Sequence, residues 1–131
     1  MKFLITIIIF LTMAAIFGCK SYFSPKNINI SLPVITVEEL RARIKQGSPI
    51  MLDVRTPAEF NGVLGHVPGS FQIPLHELEN RLEELELYRK EEIILICRSG
   101  NRSQKAAGIL INHNFKALNM LGGMRKWNST P

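Results

Sequence analysis

The residues best placed to do chemistry form one run, Cys97-Arg98-Ser99-Gly100-Asn101-Arg102-Ser103. It follows Ile93-Ile94-Leu95-Ile96, four apolar residues that read as a buried strand, and it precedes a helical pattern. A cysteine at such a junction faces backbone amides and the positive end of a helix dipole. Arg98 and Arg102 add two fixed positive charges. Each effect favours thiolate over thiol, so Cys97 reads as a reactive nucleophile. No histidine lies near it in sequence, so activation is expected from this field and not from a partner base. The alternative, an inert cysteine closing a core strand, fits two arginines and a glycine at this spacing poorly.

The elements that must hold this loop alternate between strand and helix from Pro33 onward. Val34-Ile35 is a short apolar start, and Thr36 with Glu39 forms a capping box for a helix running to about Gln46. Gly47 stands where a left-handed helix exit is expected. Ile50-Met51-Leu52-Asp53-Val54 suits a buried strand, and Thr56-Pro57-Ala58-Glu59 repeats the helix-start signature. Phe71-Gln72-Ile73 makes a third strand, closed by Pro74. Leu75, Leu78, Leu82 and Leu85 recur at spacings of three and four, as on an amphipathic helix. Ile93–Ile96 is the most apolar strand and is expected at the centre of the sheet. A helix over Ser103–His113 ends at Asn114, which can adopt a left-handed exit. Lys116–Met120 is the last strand, before Gly122-Gly123 and a short helix carrying Trp127. This alternation predicts an α/β fold with a mostly parallel sheet covered on both faces. In such sheets ligands bind beyond the carboxyl ends of the strands, which is where Cys97 falls.

Cys-Arg-Ser-Gly-Asn-Arg-Ser resembles the active-site loop of rhodanese-homology domains, a family of sulfurtransferases that work through a cysteine persulfide. Asp53-Val54-Arg55 with Glu59-Phe60, and Gly65-His66-Val67-Pro68-Gly69-Ser70 with Ile73-Pro74, are similar to its upstream blocks. Leu121-Gly122-Gly123 and Trp127 match its ending, so the likeness covers about residues 33–128. The resemblance implies a rhodanese-like three-layer sandwich around a five-stranded, mostly parallel sheet. It implies that Cys97 is the nucleophile, taking sulfane sulfur from a donor such as thiosulfate and passing it to a thiol or cyanide acceptor. The backbone of Arg98, Ser99, Gly100, Asn101 and Arg102 would cradle the terminal sulfur, with Asp53 and Arg55 in support. Arg98 is the candidate for contacting an anionic donor, and Arg102 for fixing the loop against the Asp53 carboxylate. Four residues separate Cys97 from Arg102, one fewer than cysteine phosphatases use to encircle phosphate, which argues against phosphatase chemistry. Three positions depart from the family pattern. Four residues separate Phe60 from Gly65 where two are commoner, Gln72 replaces a frequent asparagine, and Asn114 replaces a usual glycine. The longer turn lies near the site and is expected to alter acceptor specificity.

The chain is 131 residues long with a formal net charge of +5 and two cysteines, which leaves room for one domain but not for a disulfide framework or a four-thiolate zinc site. Phe3–Phe17 is an uncharged run of 15 residues behind Met1-Lys2, the pattern of a signal peptide. It is short against the ~20 residues of a membrane span. It ends in Ile16-Phe17-Gly18-Cys19, which resembles the lipobox of bacterial lipoproteins, although Phe17 is bulkier than the usual occupant. The resemblance implies a signal peptide over 1–18, lipid attachment at Cys19 as the mature N-terminus, a tether over 19–32 and the rhodanese-like domain over 33–131. The alternative is an uncleaved N-terminal anchor, and both readings place the protein outside the cytoplasm at a membrane. A flexible tether of this length would reach roughly 20 Å. Removing residues 1–18 takes one lysine from the +5 and leaves +4 over 113 residues. The remaining basic residues alternate with glutamates, as in Glu38-Glu39-Leu40-Arg41-Ala42-Arg43, so a solvated helix face explains them better than nucleic acid does.

His66 reads as a hydrogen-bonding residue of a glycine-rich turn, and His76 and His113 as surface positions. Three scattered histidines make no metal site, and neither metal nor other cofactor is expected. The sequence therefore points first to a membrane-tethered sulfurtransferase. It leaves open a persulfide carrier or partner-docking module with negligible turnover, and a redox-sensing thiol.

Overall fold

The computed structural model describes residues 31–131, so the leader, Cys19 and nearly all of the tether lie outside the described residues. In chain order the elements are β1 (Val34–Ile35), α1 (Val37–Gln46), β2 (Ile50–Asp53), α2 (Pro57–Phe60), β3 (Phe71–Gln72), a 3-10 segment (Leu75–Tyr88), β4 (Glu92–Ile96), α3 (Asn101–Asn112), β5 (Lys116–Met120) and α4 (Gly123–Ser129). The five strands make one sheet in the order β1-β5-β4-β2-β3, and every pairing is parallel. Parallel neighbours end at the same edge, so Asp53 and Ile96, which pair in register, deliver the segments that follow them to one side of the sheet.

The apolar run predicted to be central is central. Ile93, Ile94, Leu95 and Ile96 are each fully buried, and alternation divides them between two cores. Ile93, Leu95 and Cys97 pack on the face covered by α3 and the 3-10 segment, with Ala106, Ala107, Leu110, Leu78 and Leu85. Ile94 and Ile96 pack on the opposite face with Val37 and Leu40 of α1 and Met124 of α4. Each such side chain contributes roughly 1.5–3 kcal/mol by leaving water. Two-sided burial is why β4 reads as a continuous apolar run and not as an alternating one. Among the described residues no helix is long and apolar enough to cross a membrane.

Both predicted capping boxes form. Thr36 caps α1 through the Glu39 N–H while the Glu39 carboxylate accepts from the Thr36 N–H, and Thr56 and Glu59 do the same for α2, with Pro57 in its first turn. Asn114 takes the left-handed conformation, φ 62°. Three expectations need correction. Gly47 leaves α1 with φ 176°, an extended backbone open to any residue, while its N–H donates to the Arg43 carbonyl. α3 begins at Asn101, two residues before the expected Ser103, because Gly100 at φ 104° serves as its N-cap. The leucine-spaced stretch is a 3-10 segment broken at Arg81 (φ −123°, ψ 18°), not an amphipathic α-helix. Arg81 is held there by Glu77 and Glu84 at 2.8 and 2.6 Å.

Candidate active site

Cys97 leaves β4 on the face that carries Ile93 and Leu95 and is 1% exposed. Gly100, in the left-handed region, turns its N–H back to the Cys97 Sγ at 3.0 Å. A residue with a Cβ enters that region at a cost, so the glycine is what lets the loop close in so few residues. Ser103, one turn into α3 and fully buried, brings its Oγ to 3.2 Å from the same sulfur. That hydroxyl also lies 3.1 Å from the Gly100 carbonyl and 2.6 Å from Asn119 Oδ1. It carries one proton and so serves one acceptor at a time. A thiolate is the strongest acceptor of the three, because hydrogen bonds to a charged partner are about twice as strong as neutral ones.

The electrostatics follow from these contacts. Burial pushes the Cys97 thiol up, but the Ser103 hydroxyl and the backbone N–H groups of Ser103, Ser99 and Gly100 outweigh it, and the thiol sits below its ordinary value. Of the loop residues predicted to cradle a terminal sulfur, Ser99 and Gly100 turn their N–H groups to the Cys97 sulfur itself, and Ser103 joins them. The donors that lower the thiol are dipoles in direct contact with the sulfur, and the Arg102 charge acts beside them, since the Cys97 thiolate and the Arg102 guanidinium stabilise one another.

Arg102 does not reach Asp53. It meets Glu59 of α2 as a two-pronged pair, Nη1 to Oε2 at 2.7 Å and Nη2 to Oε1 at 2.5 Å. Asp53 is already taken by Arg55, whose Nε lies 2.9 Å from Oδ1 and whose Nη2 lies 2.7 Å from Oδ2. Arg55 is 1% exposed and also donates to the Glu59 and Gly65 carbonyls. With each guanidinium nitrogen partnered, this buried pair ties the end of β2 to the turn before Val67. Glu59 thus has two duties, capping α2 and holding Arg102. The Arg102 guanidinium, with help from the Thr56 N–H, brings its carboxyl down to about 2, against burial that opposes the shift. Its contribution to stability is accordingly complete above an ordinary carboxyl value of 4.5 and is lost as pH falls through about 2.

The loop is braced from behind by α4. The Met124 N–H donates to the Cys97 carbonyl at 2.8 Å and the Arg125 N–H to the Arg98 carbonyl at 3.0 Å. This approach requires Gly123, at φ 57°, where a Cβ would fall against the Cys97 carbonyl oxygen, 2.6 Å from the Arg98 carbonyl carbon and 2.7 Å from the Ser99 nitrogen. Gly122-Gly123 is therefore the seat of the loop.

The predicted residues Cys97, Ser99, Gly100 and Arg102 come together in this way. Asn101 is exposed at the start of α3, and Arg98 is exposed on the rim of a cavity of about 430 Å³ beside the loop. Arg125 shares that rim, and Cys97 is not among the lining residues. His66 stacks on Phe60 at 3.9 Å and its Nδ1 lies 3.1 Å from the Phe60 carbonyl, the hydrogen-bonding place expected of it. Sequence reasoning missed Ser103, Asn119, Glu59 and Arg125 as parts of the site. Asn119 had a signal, as the lone amide in the strand Lys-Ala-Leu-Asn-Met.

Residues 36–130 match the rhodanese-like domain family. The chain is 37% identical over 99 residues to the putative sulfur carrier protein YrkF of Bacillus subtilis, an alignment covering 74% of this chain and 51% of that one. The chain thus spans about half the length of that relative. It is 30% identical over 97 residues to the thiosulfate sulfurtransferase GlpE of Pseudomonas syringae pv. syringae, covering 73% of this chain and 87% of that one. Among solved structures it is similar to a rhodanese-like domain protein from Staphylococcus aureus, with a TM-score of 0.66, 29% identity, and coverage of 72% of this chain and 90% of that one.

Proposed function

Because the chain belongs to the rhodanese-like domain family, we propose that it is a sulfurtransferase whose sulfur is carried on Cys97. The observation that carries this reading is the pair of donors on the Cys97 sulfur, the Gly100 N–H at 3.0 Å and the Ser103 hydroxyl at 3.2 Å, in a loop too short to encircle phosphate. The Cys97 thiolate attacks the outer sulfur of thiosulfate. The sulfur–sulfur bond of the donor breaks and sulfite leaves with the electron pair. Cys97 is then a persulfide whose terminal sulfur carries the negative charge. The amide cradle stabilises that charge as an oxyanion hole stabilises oxygen. An acceptor thiolate or cyanide next attacks the terminal sulfur, and the electron pair of the broken bond returns to the Cys97 thiolate. Arg98 meets the anionic donor at the cavity rim, and Arg102 keeps the loop in shape through Glu59. The test is turnover from thiosulfate to cyanide by the purified protein, with at least a hundredfold loss expected in Cys97→Ser. Turnover retained in that variant removes Cys97 from the reaction.

A second reading, a persulfide carrier with little turnover of its own, is favoured by the burial of Cys97 at 1% exposure and by similarity to a relative named as a putative sulfur carrier. A stable gain of one sulfur atom with poor cyanide turnover is its signature. On the strength of the lipobox-like Gly18-Cys19 we further propose that the domain is held outside the cytoplasm by a lipid on Cys19.

A further inference from the structure

A separate cavity, of about 330 Å³, opens between α1, α4 and the turn before β3, and shares no lining residue with the one beside the loop. Ile44, Pro68, Trp127 and Pro131 form its walls, and its charged side chains are Arg41 and Lys45. Arg41 is held in a fixed pose. Its guanidinium stacks over the Trp127 ring at 4.1 Å, and its Nη2 donates to the Trp127 and Thr130 carbonyls at 3.0 and 3.1 Å. These carbonyls close the last turn of α4, so Arg41 ties α1 to the end of that helix. The rest of the guanidinium is unmatched. Its Nε is buried without an acceptor, and its Nη1 makes no hydrogen bond among the described residues. Among those residues neither Arg41 nor Lys45 has a carboxylate within ion-pair distance. Two positive charges therefore line an otherwise apolar cavity with no counter-charge.

We infer that this cavity binds a small organic anion, a carboxylate on a compact apolar body, and holds it without reaction. Its size sits at the lower end of the range for small-molecule pockets, which keeps the body compact. The carboxylate meets Arg41 Nη1 and Lys45, and the body lies against Ile44, Pro68 and Trp127. A planar guanidinium suits a carboxylate, and Arg41 loses little freedom on binding because Trp127 and α4 already hold it. An inorganic ion would leave the apolar walls uncovered, and a neutral apolar molecule would leave the charges unmet. Only a ligand with both parts satisfies the cavity. No cysteine, serine, histidine or carboxylate side chain lines it, so the occupant is bound and not transformed.

Trp127 is the single tryptophan of the chain, so its emission reports on this cavity. The full chain is titrated with cyclohexanecarboxylate, with the neutral cyclohexanecarboxamide of the same shape, and with acetate, which has the charge but almost no body. Comparing the acid and the amide within each protein cancels changes in the apolar walls. The wild-type protein should saturate with the carboxylate at a concentration roughly tenfold below that for the carboxamide, as for one hydrogen bond to a charged partner. Acetate should leave the emission unchanged. In Lys45→Gln, at an exposed position, the ratio of the two half-saturating concentrations should fall by up to about fivefold. In Arg41→Met, which keeps an apolar stem over Trp127 and removes the charge, acid and amide should become equal. Lys45→Gln keeps the test decisive if Arg41→Met fails to fold. No saturable change in the wild-type protein, a carboxylate no tighter than the carboxamide, or a ratio unchanged in the variants that fold overturns the inference. An acetate response equal to that of cyclohexanecarboxylate overturns it too, since an ion alone would then suffice. None of these outcomes bears on sulfur transfer at Cys97.

Discussion

The Cys97 sulfur accepts from backbone N–H groups and from one hydroxyl, and only the hydroxyl can be removed without rebuilding the loop. The opposing effects are burial, which raises the thiol, and direct donors, which lower it by more. Ser103→Ala deletes the donor and leaves the burial, so the thiol must rise toward its ordinary value. The sign at a given pH follows. Below that value a smaller fraction is thiolate, and alkylation of Cys97 by iodoacetamide at neutral pH should slow roughly three- to tenfold, as for the loss of one hydrogen bond. The midpoint of the alkylation profile should move to higher pH, and Ser103→Thr, which keeps the hydroxyl, should restore it. A midpoint unmoved in Ser103→Ala would assign the lowering to the amides alone. Asn119 deepens the same point. Its Oδ1, 2.6 Å from the Ser103 Oγ, competes with the sulfur for the one hydroxyl proton, and Asn119 lies on the Cys97 face of the neighbouring strand β5.

At the level of elements, the loop is shaped less by its own sequence than by the helices it touches. α2 reaches across through Glu59 to Arg102, and α4 supports the loop backbone through Met124 and Arg125. Gly123→Ala tests this bracing. The new Cβ meets the loop backbone on three atoms and asks an alanine to hold φ 57°. Left-handed strain and overpacking together should destabilise the fold by about 2–4 kcal/mol. Sulfur transfer should fall further than stability explains, because the displaced backbone belongs to the cradle. Urea unfolding beside persulfide loading, measured where the variant is fully folded, checks both. These long-range contacts mark the limit of what the chain reveals by itself. The cap at Thr56–Glu59 was legible because both partners sit three residues apart. The second duty of Glu59 was not, because Arg102 is 43 residues away and Asp53 offered an equally suitable carboxylate. The break at Arg81 was hidden for another reason. The three-residue steps Leu75–Leu78 and Leu82–Leu85 suit 3-10 turns, and the four-residue step from Leu78 to Leu82 crosses the break at Arg81, so the pattern as a whole imitates an α-helix.

For the molecule as a whole, the order β1-β5-β4-β2-β3 puts the most apolar strand in the middle and Cys97 at its end. That much could be read from hydrophobicity, since a strand buried on both faces must be apolar throughout, as Ile93–Ile96 is. The position of the loop followed from the rule that ligands collect at the carboxyl ends of parallel strands. The cavity could not be read this way, because Arg98, Arg125 and Val63 come from three separate segments. Attachment to a membrane belongs to this scale too. If a lipid on Cys19 holds the chain, Cys19→Ser should move the protein from the membrane fraction to the soluble fraction or leave the leader uncleaved, and should abolish incorporation of a labelled fatty acid. Unchanged labelling in that variant would contradict it.

The central claim is that Cys97 carries the transferred sulfur, and intact mass spectrometry after incubation with thiosulfate tests it most directly. The wild-type protein should gain the mass of one sulfur atom, release one equivalent of sulfite, and lose the added mass on exposure to cyanide. Cys97→Ser should show none of these changes. A mass gain that persists in Cys97→Ser, or a wild-type protein that releases no sulfite and gains no mass, would contradict the account.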